Sequence, residues 1–236
     1  MNYFSHYYFD HHPESSEFNF GLLAPDLLRN YSKDSYNKSK VAHATLIYNK
    51  LINTPNSSIQ ISDFFKGMEM HLTRDKSFHK SVFFESVYQE IHPIIEEAFL
   101  KASIPRFWFA LHILIEMQLD QFLIRLHPEK LNTFYENLSQ LSESTLLKIL
   151  NSVDHQNPQK FIEGFTRFLE VQFLKKYTDH TGIIYGLNRI YQQIGIQKQD
   201  WTIEQITILT PVLIQIAFSI EKHFNIIEPV STETWD

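Results

Sequence analysis

The amino-acid sequence predicts an all-α protein, and the simplest arrangement is a single compact domain of about nine to ten helices. Apolar residues recur at helical spacing along most of the chain, alternating β-branched runs are few, and helix breakers mostly fall between the periodic segments. The chain of 236 residues is 43% hydrophobic and contains 20 Phe, which is enough for one large core or two small ones. We therefore expect one domain over residues 1–230, followed by a polar tail, STETWD, at residues 231–236.

An aromatic arm, MNYFSHYYFDHHPE, precedes the first predicted helix. The predicted helices follow in chain order: Ser15–Asn30, Ser39–Ile52, Ser62–Lys80, Val82–Lys101, Arg106–Leu126, Pro128–Leu138, Ser144–Val153, Pro158–Tyr177, Thr181–Gln193 and Thr202–Phe224. Turn-forming sequences separate several of them, including NTPNSS before the third helix and SIP at residues 103–105. Three predicted helices contain a proline, at Pro25, Pro93 and Pro211, so a kink or a division is expected at each.

Composition excludes several classes of site and partner. Because the chain has no Cys, it cannot form a disulfide, a Cys-ligated zinc or iron–sulfur site, or a thiol nucleophile. The formal charge of −6, without a cluster of Lys and Arg, argues against nucleic acid or an anionic membrane as the main partner. The first residues lack the features of a signal peptide, and no segment contains 18 uncharged apolar residues. We expect a cytoplasmic protein.

The segment GMEMHLTRDKSFHKSVFF, at residues 67–84, contains one stripe of residues that could bind a metal. His71, Asp75 and His79 follow each other at four-residue intervals, so they lie within about 80° of one another around a helix. Apolar residues such as Met68 and Phe78 share that sector, whereas the lysines of this helix fall on the opposite side. The stripe is therefore expected to face the protein interior.

A second stripe lies in FWFALHILIEMQLDQFLIRL, at residues 107–126. His112, Glu116 and Asp120 have the same spacing and share one face of the predicted helix. Gln118, Gln121 and Arg125 lie on another side, which we expect to be the solvated one. Each of two helices would then direct an imidazole and carboxylates inward.

Burying carboxylates is costly unless each meets a cation or several hydrogen-bond donors. Imidazoles and carboxylates that face one another across two helices suit a divalent metal: Mn²⁺ is our first choice, with Fe²⁺, Zn²⁺ or Mg²⁺ as alternatives. Triples of such residues also arise by chance about once in a chain of this length and composition. A buried salt-bridge network or a His-lined polar seam therefore stays open as an alternative.

Four short segments occur in order along the chain: MNYFSH at residues 1–6, GLLAPD at 21–26, HLTRD at 71–75 and EMQLDQFL at 116–123. They resemble the motifs M-N-[FY]-x-x-H, G-N-x-x-x-D, H-R-x-I-D and D-x-x-x-D-H-F-L of the bacterial acyl-carrier-protein phosphodiesterase family, a divergent branch of the HD-type metal phosphohydrolases. The chain departs from these motifs at Leu22 and Leu72, and at Glu116, which replaces an Asp.

This resemblance implies an HD-like helical domain and a metal-dependent phosphodiesterase. Together with the two stripes, it gives as metal ligands His6, Asp26, His71, Asp75, His112, Glu116 and Asp120. The expected catalytic residues are Asp26, Asp75 and His79. A bound metal would lower the pKa of a water molecule, and a carboxylate such as Asp26 would orient that water for attack on phosphorus.

If the family's activity carries over, the substrate is holo-acyl carrier protein, and the products are the apo protein and 4′-phosphopantetheine. Acyl carrier proteins are acidic, so a docking patch would be basic, and Lys33, Lys38, Lys40 and Lys50 form a loosely basic region. Two alternatives stay open. One is an HD-type phosphohydrolase that acts on a nucleotide or another small phosphoester. The other is a non-catalytic helical interaction protein with a buried network of His and carboxylates.

Overall fold

The computed structural model describes residues 1–31 and 59–227, and all regular secondary structure in these residues is helical. The all-α prediction is therefore confirmed for this part of the chain. The predicted helix Ser39–Ile52, the four lysines of the predicted docking region and the predicted tail at 231–236 lie outside the described residues.

The α-helices are, in chain order, α1 (Tyr3–Asp10), α2 (Ser16–Gly21), α3 (Ala24–Tyr31), α4 (Ile59–Phe78), α5 (Val82–Lys101), α6 (Phe107–Leu126), α7 (Pro128–Ser139), α8 (Glu143–Ser152), α9 (Pro158–Val171), α10 (His180–Gln193) and α11 (Ile203–His223). Two 3₁₀ helices, Phe173–Thr178 and Phe224–Ile226, complete the described elements.

The chain divides into two compact units. Unit 1 comprises Met1–Ser5, Lys76–Pro128 and the chain from Leu174 onward, and in it α5, α6 and α11 pack against one another while α10 contacts α6 and α11. Unit 2 comprises His6–Asp75 and Glu129–Phe173, and in it α9 contacts both α8 and α3. The expectations of a single domain and of an HD-like arrangement stay predictions.

In unit 2, α2 and α4 approach each other closely at a pair of glycines. A Cβ atom on Gly21 would overlap the carbonyl oxygen of Phe64, and one on Gly67 would overlap the carbonyl oxygen of Phe18. Neither position can carry a side chain without a shift of backbone, because the overlapping atoms belong to the main chain.

The aromatic N-terminal arm contains a helix, α1, that the sequence analysis missed. Asn2 precedes the helix, and its backbone N–H donates to the Ser5 hydroxyl at 3.1 Å, which is a local start signal. The first turn is also capped from a distant helix, because the Asp120 carboxylate accepts hydrogen bonds from the backbone N–H groups of Phe4 (3.0 Å) and Ser5 (2.6 Å). This second contact joins residues 115 positions apart, so the local sequence does not predict it.

The prolines have different effects from one helix to another. Near Pro25 the predicted helix is divided into α2 and α3, whereas Pro93 and Pro211 lie inside the continuous helices α5 and α11. The predicted helix Pro158–Tyr177 is also divided, because Gln172 adopts a left-handed backbone conformation with φ of 47° after α9 ends.

Two helical segments are long and apolar enough to cross a membrane by length and composition alone. The first is Phe107–Leu126, whose most apolar 18-residue window has a mean hydropathy of 1.3 and is 61% buried. The second is Ile203–Ile226, whose corresponding window has a mean hydropathy of 1.6 and is 33% buried. The core helix of a globular protein passes the same test, and α6 is such a helix in unit 1.

The expectation that Gln118, Gln121 and Arg125 form the solvated side of α6 is confirmed for Arg125, which is exposed, and is wrong for the two glutamines. Their exposed fractions are 1% and 2%, because helices α5, α10 and α11 all pack against α6. Gln121 donates a hydrogen bond from Nε2 to the Tyr177 carbonyl at 2.6 Å. In the described part of the chain neither polar side-chain atom of Gln118 has a hydrogen-bond partner, and this costs stability.

Replacing these two glutamines with methionine should therefore change stability in opposite directions. Gln118→Met removes buried polar atoms without partners and should raise the free energy of unfolding by about 1 kcal/mol. Gln121→Met removes the bond to Tyr177 and should lower it by about 1 kcal/mol. Urea unfolding of both variants checks this, and destabilisation by Gln118→Met as large as that by Gln121→Met would contradict it.

Candidate metal centre

His79 lies in a short turn between α4 and α5. The Ser81 hydroxyl donates to the Phe78 carbonyl at 2.7 Å and accepts from the Phe84 N–H at 3.1 Å, so Ser81 both closes the turn and caps α5. The side chain of His79 is thereby held between the end of one helix and the start of the next.

The His79 side chain meets His112 and Glu116 of α6 within unit 1. The Oε1 atom of Glu116 lies 2.8 Å from Nε2 of His79 and 3.2 Å from Nε2 of His112, and the two imidazole centroids are 4.3 Å apart. Each residue offers one ligand atom such that all three atoms lie within 4.8 Å of one another. In residues 1–31 and 59–227, His79, His112 and Glu116 are the group of three His, Asp or Glu residues whose ligand atoms lie this close together.

The cluster has an apolar wall on one side and is partly open to solvent. The Phe84 ring stands edge-on to both imidazoles, with centroid distances of 5.1 Å to His79 and 5.2 Å to His112. Side-chain exposure is 15% for Glu116, 24% for His79 and 42% for His112. A small molecule can therefore approach from the His112 side.

Glu116 is the electrostatic centre of the cluster. Although burial raises its pKa, the Met1 α-ammonium at 3.2 Å and the hydrogen bonds to His112 and His79 hold the pKa of Glu116 well below its usual range. The carboxylate is thus ionised at neutral pH, as a metal ligand has to be.

Asp120 lies one turn further along the same face of α6, and it is fully buried. Burial raises its pKa to about 7, while the hydrogen bonds from Phe4 and Ser5 at the start of α1 act in the opposite direction. Both of its oxygens accept backbone hydrogen bonds. In the described structure, Asp120 therefore acts as the cap of α1.

Unit 2 contains the other predicted ligands, and two of them form a buried pair. The rings of His6 and His71 stack with centroids 3.9 Å apart, and their residues are 0% and 4% exposed. Nδ1 of His71 lies 2.7 Å from the Leu22 carbonyl, so this nitrogen donates a hydrogen bond. Asp26, in the first turn of α3, and Asp75, near the end of α4, are half-buried.

The structure thus unites part of the predicted set. His112 and Glu116, both predicted ligands, lie together with His79, which was predicted to be catalytic, and Asp120 follows one turn later. The predicted ligands His6, Asp26, His71 and Asp75 belong to unit 2, where their metal-binding role stays a prediction. The contact between the Met1 ammonium and Glu116 had no signal in the sequence.

Comparison of the chain with known protein families, curated proteins and solved structures finds no significant match.

The chemistry of the donor set fits a divalent transition metal. Two imidazole nitrogens and one carboxylate oxygen are ligands that suit Mn²⁺, Fe²⁺ and Zn²⁺, and three protein ligands leave coordination positions for water or a substrate. The same three groups can also satisfy one another as a hydrogen-bonded network. Direct measurement of metal binding separates these two possibilities.

Asp120 gives the protein a specific dependence of stability on pH. Because its folded pKa of about 7 exceeds its ordinary value of 3.8, the folded state holds a proton that the unfolded state has lost. The contribution of Asp120 to the free energy of unfolding is fully present below about pH 4. It is lost as the pH rises to about 7, at up to about 1.4 kcal/mol per pH unit. Asp120→Asn should remove this slope.

Urea unfolding at pH 5, 6 and 7 measures that slope. The matched control is Asp154→Asn, which changes an exposed Asp in unit 2 and should keep the pH profile of the unaltered protein. Parallel profiles for Asp120→Asn and the unaltered protein would contradict the raised pKa.

Proposed function

We propose that this protein is a metal-dependent hydrolase whose metal centre is formed by His79, His112 and Glu116. The observation that carries the proposal is the approach of two imidazole nitrogens and an ionised carboxylate at a half-open position in unit 1. Mn²⁺ is the expected ion, with Fe²⁺, Zn²⁺ and Mg²⁺ as alternatives. A bound ion of this kind would supply an activated water molecule and stabilise developing negative charge.

The surrounding residues have separate tasks in this proposal. Glu116 contributes negative charge that balances the charge of the ion. Its contacts with Nε2 of His79 and of His112 orient both imidazoles. Phe84 and Phe78 exclude water from one side of the imidazoles, which strengthens electrostatic interactions there. His112, the most exposed of the three, marks the side from which substrate would enter.

We propose further that the hydrolase is a phosphodiesterase that releases 4′-phosphopantetheine from holo-acyl carrier protein in the cytoplasm. This proposal is supported by the order of the four sequence segments described above, and it includes Asp26 and Asp75 as catalytic residues. A nucleotide or another small phosphoester is the alternative substrate, since a half-open metal centre suits either class.

Metal content tests the proposed metal centre of His79, His112 and Glu116. Protein purified without chelators or a histidine tag should contain close to one equivalent of divalent metal, as measured by inductively coupled plasma mass spectrometry. His79→Gln and Glu116→Gln should each lower the metal content to background, because each removes one of three ligands. Glu97→Gln, which alters an exposed carboxylate paired with Lys101, should leave it unchanged.

Melting temperature provides a second measurement on the same proteins. An ion that binds only the folded state raises the melting temperature of the unaltered protein, and the ligand variants should lose that increase. Absence of metal from the unaltered protein, together with unchanged melting on addition of Mn²⁺, Fe²⁺ or Zn²⁺, would overturn the proposal.

Hydrolysis assays test the proposed phosphodiesterase activity. Release of 4′-phosphopantetheine from holo-acyl carrier protein, measured beside a panel of generic phosphodiesters, should identify the preferred substrate. Asp75→Asn keeps the size of the side chain and removes its charge, so it should reduce turnover by at least about tenfold. Unchanged turnover in Asp75→Asn, with turnover lost in Glu116→Gln, would keep the metal centre and reject the catalytic role of Asp75.

A second candidate function is a non-catalytic helical interaction protein, and one specific observation favours it. The carboxylates of Glu116 and Asp120 already have partners, namely the Met1 α-ammonium and two imidazoles for the first and two backbone N–H groups for the second. Full stability without metal and no turnover of any phosphoester would support this function.

A further inference from the structure

Helix α11 has an exposed apolar stripe along the side that faces away from the core of unit 1. Leu209, Leu213 and Ile216 on its inner side are almost completely buried. On its outer side, Ile214 is 53% exposed and Phe218 is 66% exposed. We call this outer surface the α11 stripe, and its members are Ile203, Thr207, Pro211, Ile214 and Phe218, all of them exposed.

Large exposed apolar side chains in one row are unusual for a surface that meets only water. The residues of the α11 stripe are spaced by four, four, three and four positions, so they lie on one line along the helix. No charged residue falls between Glu204 and Glu221, which leaves the middle of the helix without a charge.

Two of the charges that flank the α11 stripe, Glu204 and Lys222, have opposite signs and lie at matching distances from its middle. Glu204 and Lys222 lie nine residues before and nine residues after Leu213, and they are eighteen residues apart. Because eighteen residues make about five helical turns, the two side chains project at the same angle around the helix. Lys222 contacts Glu90 at 3.1 Å and is still 51% exposed, and Glu204 is exposed as well.

We propose that the α11 stripe is the interface of a homodimer in which two copies of α11 pack antiparallel about a two-fold axis that crosses the stripe between Pro211 and Ile214. This arrangement brings Glu204 of one copy beside Lys222 of the other, twice in each dimer. It also places Phe218 of one copy over Thr207 and Pro211 of the other, and Ile214 beside its own symmetry mate. The stripe is therefore complementary to itself in charge at Glu204 and Lys222.

The charges also distinguish a second copy from a membrane surface. Helices that bind a bilayer surface carry Lys and Arg along the edges of the apolar face. The α11 stripe is bordered by Glu204 and Glu221 as well as by Lys222, and the chain carries a net charge of −6. Acidic residues in these positions repel anionic lipid. They favour a second copy of the chain, whose Lys222 can pair with Glu204.

Analytical ultracentrifugation of the full chain over a range of concentrations tests this proposal. Because a single helix pair forms a small interface, we expect a dimer with a Kd on the order of 10 µM. Phe218→Asp should leave only monomer over the measured range, since it places a charge at the centre of an apolar contact. Leu147→Asp, at an exposed apolar residue of unit 2, should not change the Kd.

A charge swap tests the antiparallel geometry. Glu204→Lys and Lys222→Glu should each raise the Kd by at least about tenfold, because each places like charges together at two points of the dimer. The double variant restores opposite charges and should return the Kd to within about threefold of the original. Glu90→Gln removes the intramolecular partner of Lys222 and should not raise the Kd.

Several outcomes would overturn the proposal. They are a monomer at all concentrations, a dimer that Phe218→Asp does not disturb, and a double variant that stays as weak as the single ones. Co-sedimentation with vesicles of phosphatidylcholine and phosphatidylglycerol, lost in Phe218→Asp, would assign the α11 stripe to a membrane instead.

Discussion

The removal of two carboxylates from water, Glu116 and Asp120 on helix α6, is the constraint on which the candidate site of unit 1 depends. Each carboxylate needs positive charge or several hydrogen-bond donors to offset its lost hydration. Asp120 meets this need with the first N–H groups of α1, which fixes where that helix begins. Glu116 meets it with the Met1 α-ammonium, His79 and His112, and the contact with His79 joins the turn between α4 and α5 to α6.

The local features of the fold could be predicted from the sequence, and the features that depend on distant contacts could not. Helical periodicity is a property of each segment by itself, so α5 is predicted with the bounds it has in the structure. The start of α1 depends on Asp120, and the burial of Gln118 depends on three neighbouring helices. Both features depend on contacts between residues that are far apart in the sequence, so the neighbouring residues do not predict them.

Part of the candidate site can be predicted from residue spacing. Wheel positions placed His112, Glu116 and Asp120 on one face, but they could not show that exposure decreases along it, from 42% for the His112 side chain to complete burial at Asp120. Spacing alone also could not pair His79 with α6, because His79 lies beyond the end of α4 in a turn. The geometry of that turn depends on Ser81, a capping residue with no role in the chemistry.

The hydrogen-bonded network and the metal centre use the same atoms in different protonation states. When Nε2 of His79 or His112 donates to Glu116 it carries a proton, and binding an ion requires that nitrogen to give up the proton. The ion and the proton therefore compete for the same nitrogen atoms.

Long-range ¹H–¹⁵N NMR correlations of the histidine rings, recorded at neutral pH during titration with Zn²⁺, show whether His79 and His112 bind the ion. We expect one equivalent of Zn²⁺ to shift the Nε2 resonances of both residues. Ring resonances of His79 and His112 that do not respond to Zn²⁺, or a response confined to His6 and His71, would contradict it.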